Sequence, residues 1–306
     1  MDLIYYSSEL SRARKLSLPL VALESTVITH GLPHPQNLSL ARDMEAAVRE
    51  EGATPATIAL IGGRVRVGLS ATELEDLSRS RTAIKVSRRD IAAAVVRKLD
   101  GGTTVAGTLH IAHQAGIPVF ATGGIGGVHR ESRFDVSTDL QALADTPMIV
   151  VCAGAKAILD LPATLEYLET LSVPVIGYQT GEFPAFYSRE SGLKASLQLD
   201  SPEEIVEFAR THWEAGVRSA VLVCNPVPAA SAIPHKEMEP LIAAASREAV
   251  QKKIGGKALT PFLLDHLRVM TEGRSLATNL ALLLNNAHLA GRIAQAFSAR
   301  QHTRQI

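Results

Sequence analysis

Lys156 follows an apolar run and a glycine, a position from which a lysine could act as a nucleophile. The apolar run Ile149–Cys152 precedes it and predicts a central strand of a covered parallel sheet, because the run offers no polar face for water. Gly154 permits a turn, and helical spacing over residues 155–166 predicts a helix with Lys156 in its first turn. The positive helix end and apolar neighbours would disfavour the ammonium form, leaving an amine that can attack a carbonyl carbon. The alternative is a surface lysine that reaches solvent.

Two further charged residues stand at the ends of predicted strands. Glu24 follows the apolar residues 18–23. Partial burial there would raise its pKa toward the range of a proton donor, although a helix or turn cap would also explain it. Lys85 lies near the end of a strand predicted over residues 83–86. Its point charge could pair with a phosphate, or the residue could belong to a basic turn on the surface.

Residues 122–129, Thr-Gly-Gly-Ile-Gly-Gly-Val-His, form the most glycine-dense stretch of the chain. Because it follows a predicted strand, its backbone could approach a phosphate closely. Its glycine spacing does not fit a dinucleotide-binding fingerprint, and residues 129–133 read as a loop where that motif requires a helix. A structural turn that needs positive φ is an equally good explanation.

The next segment contains two carboxylates around a predicted helix start. Ser137 is a plausible N-cap, which puts Asp135 just before the helix and Asp139 in its first turn. A plain helix start also favours acidic residues there. If these residues reach the same sheet edge as Lys156, a divalent cation could take one carboxylate, several waters and a substrate phosphate. The amide of Asn279, in a later apolar helix, could satisfy a buried partner or contact a base.

The elements that must position these residues alternate between strands and helices. This rhythm predicts an α/β fold of three layers, in which helices cover both faces of an open, mostly parallel sheet. From residue 235 onward the pattern is helical and predicts a C-terminal tail of helices over residues 237–254, 261–271 and 275–299. No repeat or flexible linker interrupts residues 1–306, so we expect a single domain.

Composition narrows the classes of partner. The chain has 31 basic and 31 acidic residues, which gives no excess charge to neutralise a nucleic-acid polymer, and a small-molecule substrate is the better expectation. Its two cysteines, Cys152 and Cys224, lie in apolar runs and predict reduced core thiols. With no secretory signal and no run of transmembrane length, we expect a cytoplasmic protein without membrane contact.

Seven motifs in one order resemble the pseudouridine-5'-phosphate glycosidases, over residues 17–297. The motifs are Ala-Leu-Glu-Ser-Thr at 22–26, His-Gly-Leu-Pro at 30–33, Lys-Val-Ser-Arg-Arg-Asp at 85–90, the glycine-rich 122–129, Cys-Ala-Gly-Ala-Lys at 152–156, Gly-Tyr-Gln-Thr at 177–180 and Asn-Asn-Ala at 285–287. The resemblance implies reversible cleavage of the C–C glycosidic bond of pseudouridine 5'-phosphate to uracil and ribose 5-phosphate. It also implies an α/β/α fold, a divalent metal, usually Mn²⁺, and a homotrimer.

The same resemblance implies a role for individual residues. The family's nucleophilic lysine falls on Lys156, its proton donor on Glu24 and its metal ligand on Asp135. Its substrate contacts fall on Lys85, Val105, Ser137, Thr138 and Asp139, with Asn279 against the base. The sequence departs from some relatives at Thr138, where a smaller residue is expected, and around residues 131–132, where the loop is shorter.

A C–C glycosidic bond suits a lysine nucleophile better than the two carboxylates of ordinary glycosidases, because protonating an exocyclic oxygen does not help its departure. A neutral Lys156 that attacks the anomeric carbon after ring opening would form an iminium, and Glu24 could then deliver the proton to uracil. Two alternatives stay open: a nicotinamide-dependent Rossmann oxidoreductase, which the glycine spacing disfavours, and a non-catalytic sugar-phosphate sensor. The sensor would bind ligand without turnover and tolerate the loss of Lys156.

Overall fold

The computed structural model describes residues 3–130, 135–254 and 259–303. Its strands are β1 (Ile4–Tyr6), β2 (Leu20–Leu23), β3 (Thr54–Ile61), β4 (Arg64–Val67), β5 (Ile84–Val86), β6 (Gly101–Thr103), β7 (Val119–Ala121), β8 (Val128–His129), β9 (Ile149–Cys152), β10 (Leu159–Asp160), β11 (Val175–Tyr178), β12 (Leu197–Leu199) and β13 (Val221–Cys224). Its α-helices are α1 (Ser8–Lys15), α2 (Gln36–Glu50), α3 (Ala71–Arg79), α4 (Ile91–Val96), α5 (Val105–Gln114), α6 (Thr138–Asp145), α7 (Leu161–Thr170), α8 (Pro202–Glu214), α9 (His235–Gln251), α10 (Leu259–Met270) and α11 (Arg274–Thr303).

Within these ranges, eleven strands form one sheet, whose main path runs β1-β4-β3-β2-β7-β9-β13-β11-β12. β6 pairs with β3 and β5 beside that path. All pairings are parallel except those of β3 with β4 and with β6. The mostly parallel sheet is therefore confirmed. β8 and β10 form a separate antiparallel pair near the site.

Helices cover both faces of this sheet, as expected. In the strand order given above, the connection through α2 leads from β2 toward the β1 edge, to β3. The connections through α5, α6 and α7 lead toward the opposite, β12 edge, to β7, β9 and β11. Because parallel crossovers are right-handed, connections in opposite directions lie on opposite faces. The return from β12 through α8 to β13 shares the face of α2, and the helical C-terminal segment packs there through α11.

The central strands are apolar because both of their faces are covered. Every residue of β2, β7, β9 and β13 is buried. Cys152 and Cys224 are opposite each other in register on β9 and β13, and both are buried free thiols. The sequence indicated this core correctly, since uninterrupted apolar runs of strand length are typical of a parallel sheet with two covered faces.

The amino-terminal segment contributes both a strand and a helix to the packed structure. β1 adds to the sheet edge beside β4, and α1 buries Leu10 and Ala13 in the core. A three-residue edge strand is too short to give a periodic signal, so only its tertiary pairing reveals it. No α-helix in the described part of the chain is long and apolar enough to cross a membrane.

Candidate active site

The carboxyl ends of β2, β7 and β9 meet at the point where the crossover direction reverses, which is where open α/β sheets form ligand-binding crevices. Two adjoining cavities lie there. The inner cavity, of about 70 Å³, is bounded by Glu24, Lys85, Lys156, Phe186 and Asn279, among others. The outer cavity, of about 320 Å³, is lined by Val105, His129, Asp135, Ser137, Thr138 and Asp139, among others. Glu24, Thr26, Lys85 and Lys156 line both cavities and therefore form their junction.

Lys156 reaches this junction from a turn between β9 and β10. Its backbone N–H donates to Ile125 O at 3.0 Å, and its carbonyl accepts from Leu159 N at 3.0 Å. Ala155 forms an isolated bridge with Ile125, so this part of the chain continues the sheet edge. The glycine-rich segment after β7 therefore holds Lys156 in place from one side.

The prediction that Lys156 lies in the first turn of a helix is wrong. The helix α7 begins five residues later, at Leu161, after the N-cap Asp160. The carboxylate of Asp160 accepts a hydrogen bond from Ala163 N at 3.0 Å, and Pro162 occupies the first turn. Together these residues give a stronger start signal than helical spacing alone. The field of a helix end therefore does not act on Lys156 as the sequence suggested.

Glu24 directly follows β2 and is 9% exposed. Its carboxylate accepts a hydrogen bond from the hydroxyl of Thr122, which follows β7. Burial raises the pKa of Glu24 and outweighs the nearby charge of Lys156 and the Thr122 hydrogen bond, which both act to lower it. A carboxyl group in this environment keeps its proton to a higher pH than an exposed glutamate, as a general acid requires.

The glycines of residues 123–127 serve close packing. All four lie in the described part of the chain, and none has positive φ, so the turn that the sequence left open is not of that kind. A Cβ added to Gly124 would come within 2.7 Å of the Phe186 ring, and one added to Gly126 would collide with Ser137 Oγ. The lack of side chains lets this loop pass between Phe186 on one side and the start of α6 on the other.

Asp139 joins two backbone segments of the outer cavity. Its Oδ1 accepts from Ala106 N and its Oδ2 from Gly126 N, each at 2.9 Å, and the residue is only 5% exposed. Both carboxylate oxygens thus hold the start of α5 and the glycine-rich loop together. Ser137 caps α6 as predicted, by accepting from Asp139 N at 3.2 Å.

The other predicted contacts surround the same space. Val105 is the first residue of α5, whose amino end faces the outer cavity, and Thr138 Oγ1 lies 3.0 Å from Ser87 Oγ. Lys85 lies on β5, in register with Gly102 of β6. Asn279 is apart from this group: it lies on α11, between the inner cavity and a side cavity of about 360 Å³. Asn279 therefore borders the inner cavity, which Lys85 also lines, but not the outer cavity.

Asp135 is the predicted metal ligand, and its surroundings bear on whether a cation fits. It lines the outer cavity together with His129, and its backbone carbonyl accepts from His129 N at 3.0 Å. No cluster of three or more metal-binding side chains occurs among the described residues. A hard divalent ion beside Asp135 would therefore take most of its oxygen ligands from water and substrate, which is usual for ions bound with phosphates. Residues 131–132, where a shorter loop than in some relatives was expected, lie outside the described residues.

Thr122 and Phe186 escaped sequence reasoning as individual residues of the site. Thr122 contacts Glu24, as described above. Phe186 lines the inner cavity with φ of +58°, a conformation that costs energy for a bulky residue and is concentrated at functional sites. Asn286 is fully buried on α11 and donates to Thr122 O at 2.8 Å, while Asn225 donates to its Oδ1 at 3.2 Å. The glycine-rich motif was the available signal for Thr122, and the sequence carries no such signal for Phe186. Asn286 interrupts an otherwise apolar helix, and it satisfies buried partners as such amides generally do.

Comparison with known proteins gives a consistent result. The model of the family described as indigoidine synthase A like protein matches residues 9–296. A protein of Paracoccus denitrificans named pseudouridine-5'-phosphate glycosidase is 56% identical over 300 residues, which cover 97% of this chain and 99% of the relative. A protein of the same name from Methylobacterium nodulans is 54% identical over 296 residues, covering 96% of this chain and 88% of the relative.

Two solved structures share the fold over nearly the whole chain. The prealnumycin C-glycosynthase AlnA in complex with ribulose 5-phosphate superposes with a TM-score of 0.92 at 39% identity and covers 99% of this chain and 100% of its own. An indigoidine synthase A-like protein from Thermotoga maritima superposes with a TM-score of 0.87, also at 39% identity, and covers 95% of each chain.

Proposed function

This chain belongs to the pseudouridine-5'-phosphate glycosidase family, and we propose that it reversibly cleaves the C–C glycosidic bond of pseudouridine 5'-phosphate to give uracil and ribose 5-phosphate. The observation that carries this proposal is the meeting of Lys156 with the buried Glu24 at the junction of two cavities. A nucleophilic amine and a protonated carboxyl group at one point are what C–C cleavage through an iminium requires. The direct test is to incubate the purified protein with pseudouridine 5'-phosphate and Mn²⁺ and to follow free uracil.

In the proposed reaction, the Lys156 nitrogen bonds to the sugar C1′ as the ring C1′–O4′ bond breaks. The electron pair of that bond goes to O4′, which takes the proton that the amine nitrogen gives up. Glu24 gives its proton to C5 of the uracil ring. The C1′–C5 bond then breaks, its electron pair restores the uracil ring, and the nitrogen lone pair forms a C=N bond to C1′. Water hydrolyses this iminium, which releases ribose 5-phosphate and the free amine of Lys156, and the proton set free in this step restores the acid form of Glu24. The buried carboxyl group of Glu24 suits the proton transfer because burial favours its protonated form.

We assign the substrate phosphate to the outer cavity. That space is lined by Lys85, by Val105 at the amino end of α5, and by the hydroxyl-bearing residues Ser137 and Thr138. Backbone N–H groups at a helix start, together with a lysine, are a common combination for phosphate recognition. The base then lies on the side of Asn279, whose amide can both donate and accept at the edge of uracil.

Lys85→Ala should raise KM for the nucleotide by about tenfold or more, because a charge-assisted contact to phosphate is lost. Weak activity on the unphosphorylated nucleoside should hardly change. Steady-state kinetics on both substrates measure the difference. Arg89→Ala provides the comparison, since Arg89 lines the same cavity but its side chain is 75% exposed, and an exposed cation should contribute far less. Equal losses on nucleotide and nucleoside would place Lys85 in another role.

We also propose Mn²⁺, or another divalent metal, as a cofactor held by Asp135. When bound, such an ion neutralises phosphate charge and orients the substrate. Asp135 is suited to this role because it lines the cavity assigned to phosphate, whereas both carboxylate oxygens of Asp139 already accept backbone hydrogen bonds.

Chelation should abolish uracil release, and Asp135→Ala should raise the metal concentration needed for half-maximal activity by at least about tenfold, the low end of what even indirect metal contacts contribute. Titration of the chelated enzyme with Mn²⁺ measures this, alongside direct metal binding by calorimetry. Asp145→Ala is the matched control, because Asp145 lies on the far end of α6 in an exposed pair with Arg88. Full activity in excess chelator would remove the metal from the reaction.

Resemblance to the family further supports a homotrimer that acts in the cytoplasm. Light scattering should then give a mass three times the 32.7 kDa of one chain. A mass of one or two chains at working concentration would contradict the trimer.

A further inference from the structure

The turn that carries Lys156 lies between two short segments of strand pairing. Its two ends are tied into strands: Ala155 bridges Ile125, and Leu159 pairs with His129 in the β8–β10 ladder. Between these ends the chain turns through Ala157, with the hydrogen bond from Leu159 N to Lys156 O across it. A nucleophile on such a turn can be displaced by small backbone movements, so the groups that hold the turn control where its amine lies.

Arg130 holds the outer side of this turn. It follows β8 directly, and its guanidinium donates from Nη2 to Ala157 O and from Nε to Leu159 O, each at 3.1 Å. One planar group therefore binds a carbonyl one residue after Lys156 and another three residues after it. A guanidinium can do this because its donors are fixed in a rigid fork, whereas the single nitrogen of lysine cannot reproduce that geometry.

Glu239 of α9 in turn fixes Arg130. Its two carboxylate oxygens accept from Nη1 and Nη2 of Arg130, the second at 3.0 Å, in a bidentate ion pair. The Arg130 side chain is 25% exposed and that of Glu239 is 40% exposed, so the pair lies at the rim of the site and not in the core. Bidentate geometry restricts the guanidinium to one orientation, which directs its remaining donors at the turn.

We propose that Arg130 and Glu239 are a positioning pair for Lys156, coupling α9 to the turn that presents the nucleophile. This inference rests on the proposed role of Lys156 in cleavage. Neither residue lines the inner or the outer cavity, so their effect is exerted through the backbone of residues 157–159. Loss of either should therefore change how fast the substrate reacts and leave its affinity nearly unaltered.

The test compares Arg130→Lys and Glu239→Gln with Arg274→Lys. Arg274 forms an ion pair with Glu237 on the same helix α9, so this control disturbs α9 without contact to the turn. Arg130→Lys should lower kcat for uracil release by about 10- to 100-fold, the loss expected when a reacting group is misplaced by about 1 Å. KM for pseudouridine 5'-phosphate should stay within about twofold, since the binding contacts persist. Glu239→Gln should show a smaller loss, and Arg274→Lys none.

Amide hydrogen exchange of residues 156–159 provides a readout that does not depend on turnover. Arg130→Lys should speed exchange at the Leu159 amide, which bonds to Lys156 O, and Arg274→Lys should not. If wild-type protein released no uracil, the proposed function would fail, and the exchange result would still decide whether Arg130 holds the turn. Unchanged exchange, or a lower Tm with unchanged kcat per folded molecule, would overturn the positioning role.

Discussion

Replacing Lys156 with arginine is expected to abolish uracil release, with kcat reduced by about 10⁴-fold or more, as is typical when a covalent nucleophile is removed. Arginine keeps the positive charge but its guanidinium stays protonated, so it cannot attack C1′. Lys156→Ala should be equally inactive. Charge at the cavity junction therefore cannot substitute for a nucleophilic amine, and this outcome separates a catalyst from a sugar-phosphate sensor, which would tolerate the change.

The covalent step can be observed directly. Mixing the enzyme with ribose 5-phosphate and a hydride reductant should convert the iminium into a stable amine, which intact-mass and peptide analysis would locate on Lys156. Excess uracil should suppress this adduct, because it drives the reverse reaction. Lys194→Arg is the control, since Lys194 lines a separate groove near β11. The covalent mechanism is wrong for this protein if a known Schiff-base enzyme is trapped under the same conditions, no adduct forms here, and Lys156→Ala still releases uracil at near wild-type rate.

The second large effect is expected at Glu24. Glu24→Gln should reduce kcat by about 10²- to 10⁴-fold, the usual contribution of a general acid. Since burial raises the pKa of Glu24, and the proton donor must be protonated, wild-type activity should fall as pH rises through that raised pKa. Glu24→Gln should lose this limb of the pH–rate profile, because an amide does not titrate. A profile that keeps the same alkaline limb in Glu24→Gln would assign proton transfer to another group.

Stability provides an independent check on Glu24. Below the ordinary glutamate pKa, the carboxyl group is protonated in both the folded and the unfolded chain. As pH rises, the unfolded chain loses this proton first, so the stability contributed by the protonated, buried group is lost progressively up to the raised folded pKa. Tm of Glu24→Gln should therefore exceed that of wild type increasingly as pH rises through this window.

Glu45 allows a matched comparison for that measurement. Burial also raises the pKa of Glu45, which accepts a hydrogen bond from Thr57 at 2.7 Å and lies on α2, outside the three cavities of the site. Glu45→Gln should change Tm with pH in the same direction while kcat is retained. Loss of activity in both variants would indicate that general destabilisation, and not proton transfer, explains the effect at Glu24.

The sequence by itself determined which residues gather at the site. Apolar runs of strand length marked β2 and β9, and Glu24 and Lys156 follow them closely, so the shared edge of a parallel sheet brings both to one junction. Ser137 was likewise identifiable as the cap of α6, because capping depends on neighbouring residues alone. These predictions succeeded because apolar runs and helix caps depend on neighbouring residues, and because the carboxyl ends of parallel strands meet at one edge of the sheet.

Local spacing failed where a tertiary contact competed with it. Residues 155–166 have helical periodicity, yet Ile125 donates to Gly154 O and accepts from Lys156 N, so α7 starts only at Leu161. In the glycine-rich loop, composition suggested positive φ, whereas the physical requirement is space beside Phe186 and Ser137. In both cases the deciding neighbour comes from another part of the chain, which a periodicity pattern does not encode.

Only the tertiary structure decided how the reacting groups are tuned and held. The hydroxyl group that donates to Glu24 belongs to Thr122, which is 98 positions away in the sequence. The amide that donates to Thr122 O belongs to Asn286, 164 positions away, and the carboxylate that binds Arg130 belongs to Glu239, 109 positions away. Burial, which raises the pKa of Glu24, is likewise a property of the packed chain. Residue type and strand order specify which groups meet, but hydrogen-bond geometry and desolvation arise only when distant segments pack around them.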